Sequence, residues 1–161
     1  LPASRRPLAG SALALVALAL GTGALVRGRV WQDDLTLSAD LTRTAPGTAL
    51  SHSVHGQALL AAGRFAEAVA AFERAVELAP DHPGTHNDLA IGLWRLGLPA
   101  RSAAAYRESL RLDPTRASAR QGLAYACHVL EDADCLREQR EALAASDPAA
   151  LRELDAAIAG R

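Results

Sequence analysis

The chain has 161 residues, half of them apolar and 22% charged, with a formal net charge of −1. That balance suits an ordered protein, and with no basic block after residue 30 it excludes a nucleic-acid partner. Two Phe, two Trp and two Tyr leave a core of alanine and leucine, which fits closely packed helices and argues against a β-rich fold.

The first element runs from Leu8 to Val26 without a charge. As a helix it would reach about 28 Å at ~1.5 Å per residue, close to the thickness of a bilayer's hydrocarbon layer. Arg5 and Arg6 precede it and Arg27 and Arg29 follow. Residues 1–29 are therefore expected to be a membrane helix with basic flanks, and residues 8–26 to contact the membrane. A cleaved signal peptide is the alternative, with small residues for cleavage at Thr22-Gly23-Ala24. Ser4-Arg5-Arg6 also has the look of a twin-arginine signal. The arginines on the two sides nearly balance, so they assign no orientation. The chain holds no methionine, so the expectation is a fragment, a processed product or a non-standard start.

Residues 30–48 form the next unit. Val30, Leu37 and Leu41 suit one helix face, and Asp33 and Asp34 lie near its start, where negative charge favours the helix dipole. This reads as one helix that joins the membrane segment to the chain beyond Pro46 and caps it.

From Pro46 onward a 34-residue period governs the chain: Pro46, Pro80, Pro114 and Pro148. Gly63 falls on Gly97, Phe72 on Tyr106, Ala68 on Ser102 and Ala75 on Ser109. His55, Leu89 and Leu123 share one column, and Gly56, Ala90 and Ala124 another. Antiparallel helices approach closely where one side is small and a large residue of the neighbour fills the gap. Glycine lets the chain turn between the helices, and proline stops each unit.

These columns resemble the tetratricopeptide repeat family. The first unit, 49–82, carries Gly56, Gly63-Arg64-Phe65, Glu67-Ala68, Phe72, Ala75 and Leu78-Ala79-Pro80. The second, 83–116, carries Leu89-Ala90, Gly97, Tyr106 and Leu112-Asp113-Pro114. The third, 117–148, is degenerate: Glu131 replaces the turn glycine and Arg140 the aromatic. Residues 149–161 supply a capping helix, with Leu151, Leu154 and Ile158 on the apolar face, and the domain is expected to be complete there. The resemblance implies an all-α fold: an N-terminal transmembrane helix, then a short solenoid of three helix pairs with capping helices. It also implies a non-catalytic protein–protein interaction module that is not an enzyme and needs no cofactor.

A second resemblance rests on the junction. Arg27 or Arg29, Trp31, Asp33, Asp34 and Leu37, followed by a proline and repeats, are similar to the C-terminal end of polytopic glycosyltransferase-like membrane proteins, the transmembrane O-mannosyltransferases with tetratricopeptide repeats. Ser38 stands where that family commonly has an aromatic residue. This resemblance implies a non-catalytic tail and repeats on the periplasmic or other extracytoplasmic side.

The repeat family binds partners along its concave face, lined by the first helix of each pair. The register places Ser53, Gln57 and Leu60 there from the first unit, Asn87, Ile91, Trp94 and Arg95 from the second, and Gln121, Tyr125 and His128 from the third. A protein or peptide is the expected partner, with Trp94 and Tyr125 as anchors. The lysine and asparagine clamp of chaperone-binding members is not matched: lysine is absent and only Asn87 is suitably placed. No nucleophile motif or phosphate loop occurs, so catalysis is not expected. His52, His55, His82, His86 and His128 fall at packing or boundary positions and no metal site is expected. Cys127 and Cys135 flank the turn of the third pair. They are read as a candidate disulfide, against two small apolar residues packed in an alanine-rich pair.

Overall fold

The computed structural model describes residues 34–160. Eight helices and no strands occur among them: α1 over residues 34–44, α2 Ala49–Ala61, α3 Phe65–Leu78, α4 Pro83–Arg95, α5 Pro99–Leu112, α6 Ala117–Val129, α7 Ala133–Ser146 and α8 Pro148–Ala159. The expected membrane helix, Leu8–Val26, lies outside the described residues. Among those described, no helix is long and apolar enough to cross a membrane.

The period sets the packing. α2 pairs with α3 and α4 with α5, and each pair packs on the next. Phe72 is fully buried, and its ring fills the space left by Gly56, where a Cβ would come within 2.5 Å of it. Tyr106, one period later, lies against Gly122 of the following unit. Ser102 and Ser109 donate from α5 to the carbonyls of Ala90 and Pro83, each at 2.8 Å. These bonds let hydroxyls sit buried where the first unit has Ala68 and Ala75.

Each turn between paired helices closes with one repeated hydrogen bond: Arg64 N–H to Leu59 O, Leu98 N–H to Leu93 O, and Asp132 N–H to Cys127 O. The geometry needs a left-handed residue just before the donor. Gly63 has φ +76 and Gly97 φ +81, and Glu131 adopts φ +58 at the same position. The degenerate third unit thus keeps the turn although its glycine is gone. Cys127 and Cys135 are joined by a disulfide across this turn, their Cα atoms 5.9 Å apart.

Two sequence expectations require correction. Leu37 and Leu41 are not buried by the stack: they are 71% and 39% exposed, whereas Ser38 is 3% exposed. Ser38 lies one period before Phe72, so it holds the column that faces α2. Its hydroxyl meets His55 Nδ1 at 3.0 Å, and Leu35 packs beside it. Pro148, expected to close the third unit, is instead the first residue of α8. Asp147 alone separates α7 from α8. It ends α7, and its side chain accepts from the backbone N–H groups of Ala149 and Ala150, which starts the next helix at once.

Candidate functional site: the concave groove

The backbones of α2, α4, α6 and α8 approach one another in succession, whereas α3, α5 and α7 meet only through long side chains such as the Arg101–Glu73 ion pair. Helices crowd on the inside of a curved stack and splay on the outside, so the first row lines the concave face. Any partner lying in this groove meets the first helix of each pair.

At the C-terminal end, Trp94 and Tyr125 meet edge to face, with ring centroids 5.0 Å apart and planes at 72°. They border a cavity of about 290 Å³ whose other walls include Tyr106, Gln121, Gly122 and Leu154. The rings come from positions 94 and 125, on adjacent first helices and three residues short of one period apart. Gln121 donates to Ala150 O and to Glu153, each at 3.4 Å, and so ties the floor to α8. Burial pushes the Tyr106 hydroxyl up to about 12, so it stays a neutral donor and acceptor.

Toward the N-terminus the groove changes character. A cavity of about 320 Å³ lies between α2 and α4, lined by Leu50, Ser53, Val54, Gln57, His82 and Asp88 among others. Gln57 donates to Asp88 at 3.3 Å. Burial raises the Asp88 carboxyl above its ordinary value, and the Gln57 bond, Arg116 and His82 work against that shift. Asn87 is buried and accepts from Ser118 at 3.4 Å, which links α4 to α6.

The structure therefore brings Ser53 and Gln57 together at one cavity and Trp94, Gln121 and Tyr125 at another. Leu60 instead packs into the core around Phe72. Arg95 lies over the Phe65 ring at 5.0 Å. Ile91 is exposed and lines neither cavity, and His128 lies in the last turn of α6. Sequence reasoning missed Asp88, which lies one position beyond Asn87 along the same helix. It also missed the contribution of Leu154, because α8 begins before the period predicts.

A cavity of about 730 Å³ lies on the other side, between α5 and α7. Its arginines are already occupied: Arg107 by Asp132, Arg111 by Glu108, Arg137 by Asp134, and Arg120 by the Pro114 carbonyl. It offers no open anion site. The ligand atoms of Cys127, Asp132 and Cys135 lie within 4.8 Å of one another, but the two sulfurs are bonded together.

Comparison with known proteins fits this geometry. Residues 39–83 and 53–117 match the tetratricopeptide repeat model. The Hsp70-Hsp90 organizing protein of Triticum aestivum is 34% identical over 108 residues, which is 67% of this chain and 18% of that protein. The chain thus spans under a fifth of that relative. Among solved structures, TTC0263, a thermophilic protein of Thermus thermophilus, superposes with a TM-score of 0.68 at 18% identity, over 84% of this chain and 74% of the other. The first repeat domain of Spaghetti (RPAP3), bound to the HSP90 peptide SRMEEVD, superposes with a TM-score of 0.62 at 19% identity, over 70% and 94%. At such identities the structural likeness speaks for the fold alone.

Proposed function

Residues 39–117 belong to the tetratricopeptide repeat family, and from that premise we propose that the chain is a non-catalytic interaction module holding a segment of another protein in its concave groove. The observation that carries this reading is the Trp94–Tyr125 pair beside an open cavity of about 290 Å³. Rigid aromatics at a cavity mouth supply large contact area at small entropic cost. The aligned relatives include a protein named for organising Hsp70 and Hsp90 and a domain bound to an acidic HSP90 peptide. By analogy the partner here is a peptide, but the chain has no lysine with which to clamp a carboxylate tail. The test is selection from a displayed random-peptide library, followed by chemical-shift mapping of a selected peptide. Shifts along the concave row of α2, α4, α6 and α8 support the reading, and shifts confined to α3, α5 and α7 sink it.

The uncharged run Leu8–Val26 and its flanking arginines support a second, additive reading: the module is tethered to a membrane with its repeats on the extracytoplasmic side. The junction sequence from Trp31 to Leu37 favours the tail of a glycosyltransferase-like membrane protein as the setting. Resistance to alkaline carbonate extraction is the expected result. A mature N-terminus near Leu25 by mass spectrometry would instead establish a secreted form.

A further inference from the structure

The two ends of the groove differ in chemistry, and the N-terminal end bears on what kind of peptide fits. Leu50 is 72% exposed and borders the cavity between α2 and α4 together with Val54. Asp88 lies in the wall of the same cavity, and no lysine or arginine is among its lining residues. Across Val54 and Gln57 the groove continues into a second cavity, of about 460 Å³, between α1 and α2. Leu37 and Leu41 supply its apolar wall, and among the described residues Asp34 is the one charged group that lines it.

This larger space has a sequence origin. Ser38 stands in the column of Phe72 and Tyr106, so the wide ring that fills the equivalent gap in later units is missing. What remains is an apolar trough with a carboxylate at each of two stations. A low-dielectric wall strengthens the attraction of such a carboxylate for a cation, and Asp88 already responds in that sense to Arg116 and His82. Arg95, on α4, lies over Phe65 at 5.0 Å and lines neither cavity.

We propose that the N-terminal half of the groove selects a peptide carrying aliphatic side chains next to lysine or arginine. The aliphatic groups seat against Leu50, Val54 and Leu37, and a basic group pairs with Asp88. This rests on the reading that the concave face takes a peptide, and it specifies the class of that peptide. It is the opposite preference to that expected of a groove built around a carboxylate clamp.

The test uses the full chain and three capped probes: a peptide alternating leucine with lysine, its leucine–glutamate twin, and SRMEEVD. Titration calorimetry should show the lysine peptide binding at least tenfold more tightly than either acidic probe. Asp88→Asn, which keeps the shape of the side chain, should weaken it about tenfold; Glu77→Gln on outer helix α3 should leave it unchanged. Gln57→Lys should abolish lysine-peptide binding and admit the glutamate twin. Equal or tighter binding of an acidic probe, or an unaltered affinity in Asp88→Asn with circular dichroism intact, overturns the proposal. A displayed library that yields groove-bound peptides without basic residues also overturns it, yet leaves the interaction-module reading standing.

Discussion

His86 donates from Nε2 to the carbonyl oxygen of Pro80 at 2.6 Å. The same link recurs one period to either side, from His52 Nε2 to Pro46 O at 3.0 Å and from an Arg120 guanidinium nitrogen to Pro114 O at 2.6 Å. Each bond ties the second turn of a first helix to the loop before it. The proline column thus does more than end helices, since its carbonyl anchors the unit that comes after it. Three side chains of two types make the bond, because the position requires only a long side chain with an N–H at its tip.

His86 is 8% exposed, so its loss removes a partly buried hydrogen bond and the packing of its ring. His86→Ala should lower stability by about 1–2 kcal/mol, read as a shift of the urea midpoint with unchanged slope. His52→Ala, in a more open setting, should cost less. Equal costs would show that the bond contributes little and that packing decides.

Glu131 holds a left-handed backbone at φ +58, where the other two units have glycine. A side chain there carries a penalty of roughly 1–2 kcal/mol. Glu131→Gly should therefore raise the melting temperature, while Gly97→Glu should lower it. A Glu131→Gly melt at or below wild type would contradict the account of the turn.

The Cys127–Cys135 bridge closes a short loop across that same turn. Reduction should cost about 2–3 kcal/mol by loss of the constraint on the unfolded chain. Hydrogen exchange should then accelerate in α7 and α8 before α2 to α5. Uniform acceleration would mean that the third unit is not the weak point.

His55 hydrogen-bonds Ser38 at 3.0 Å, and burial lowers its pKa below 6.5, with Arg64 and His52 acting in the same direction and Glu67 against. The folded state therefore favours the neutral ring. Its contribution is present above pH 6.5 and is lost as pH falls through the lower folded value. Docking of α1, followed by exchange of its amides, should weaken over that interval, and His55→Ala should remove the dependence. A pH-independent α1 would refute the linkage.

The period made the helix pairs, the turn positions and the Phe72 and Tyr106 columns legible, because packing small against large leaves a mark at fixed spacing. The Glu131 turn was legible only by its register, since its residue type argues against the conformation it adopts. The apolar spacing of Leu37 and Leu41 marked one face of α1 but not the buried one, because the column inherited from Phe72 puts Ser38 inward. Asp88 and the wall from α8 were not legible. The first is a lone carboxylate whose setting depends on Gln57 across the helix interface. The second depends on Asp147 collapsing the final loop to one residue.

The central claim is that Trp94 and Tyr125 anchor a partner peptide. Its most direct test is the affinity of a library-selected peptide for wild type and for the Trp94→Ala, Tyr125→Ala double variant, with helicity followed by circular dichroism. The account predicts a loss of at least a hundredfold in affinity, about 2.7 kcal/mol, with helicity retained. Unchanged affinity in a folded double variant would contradict it.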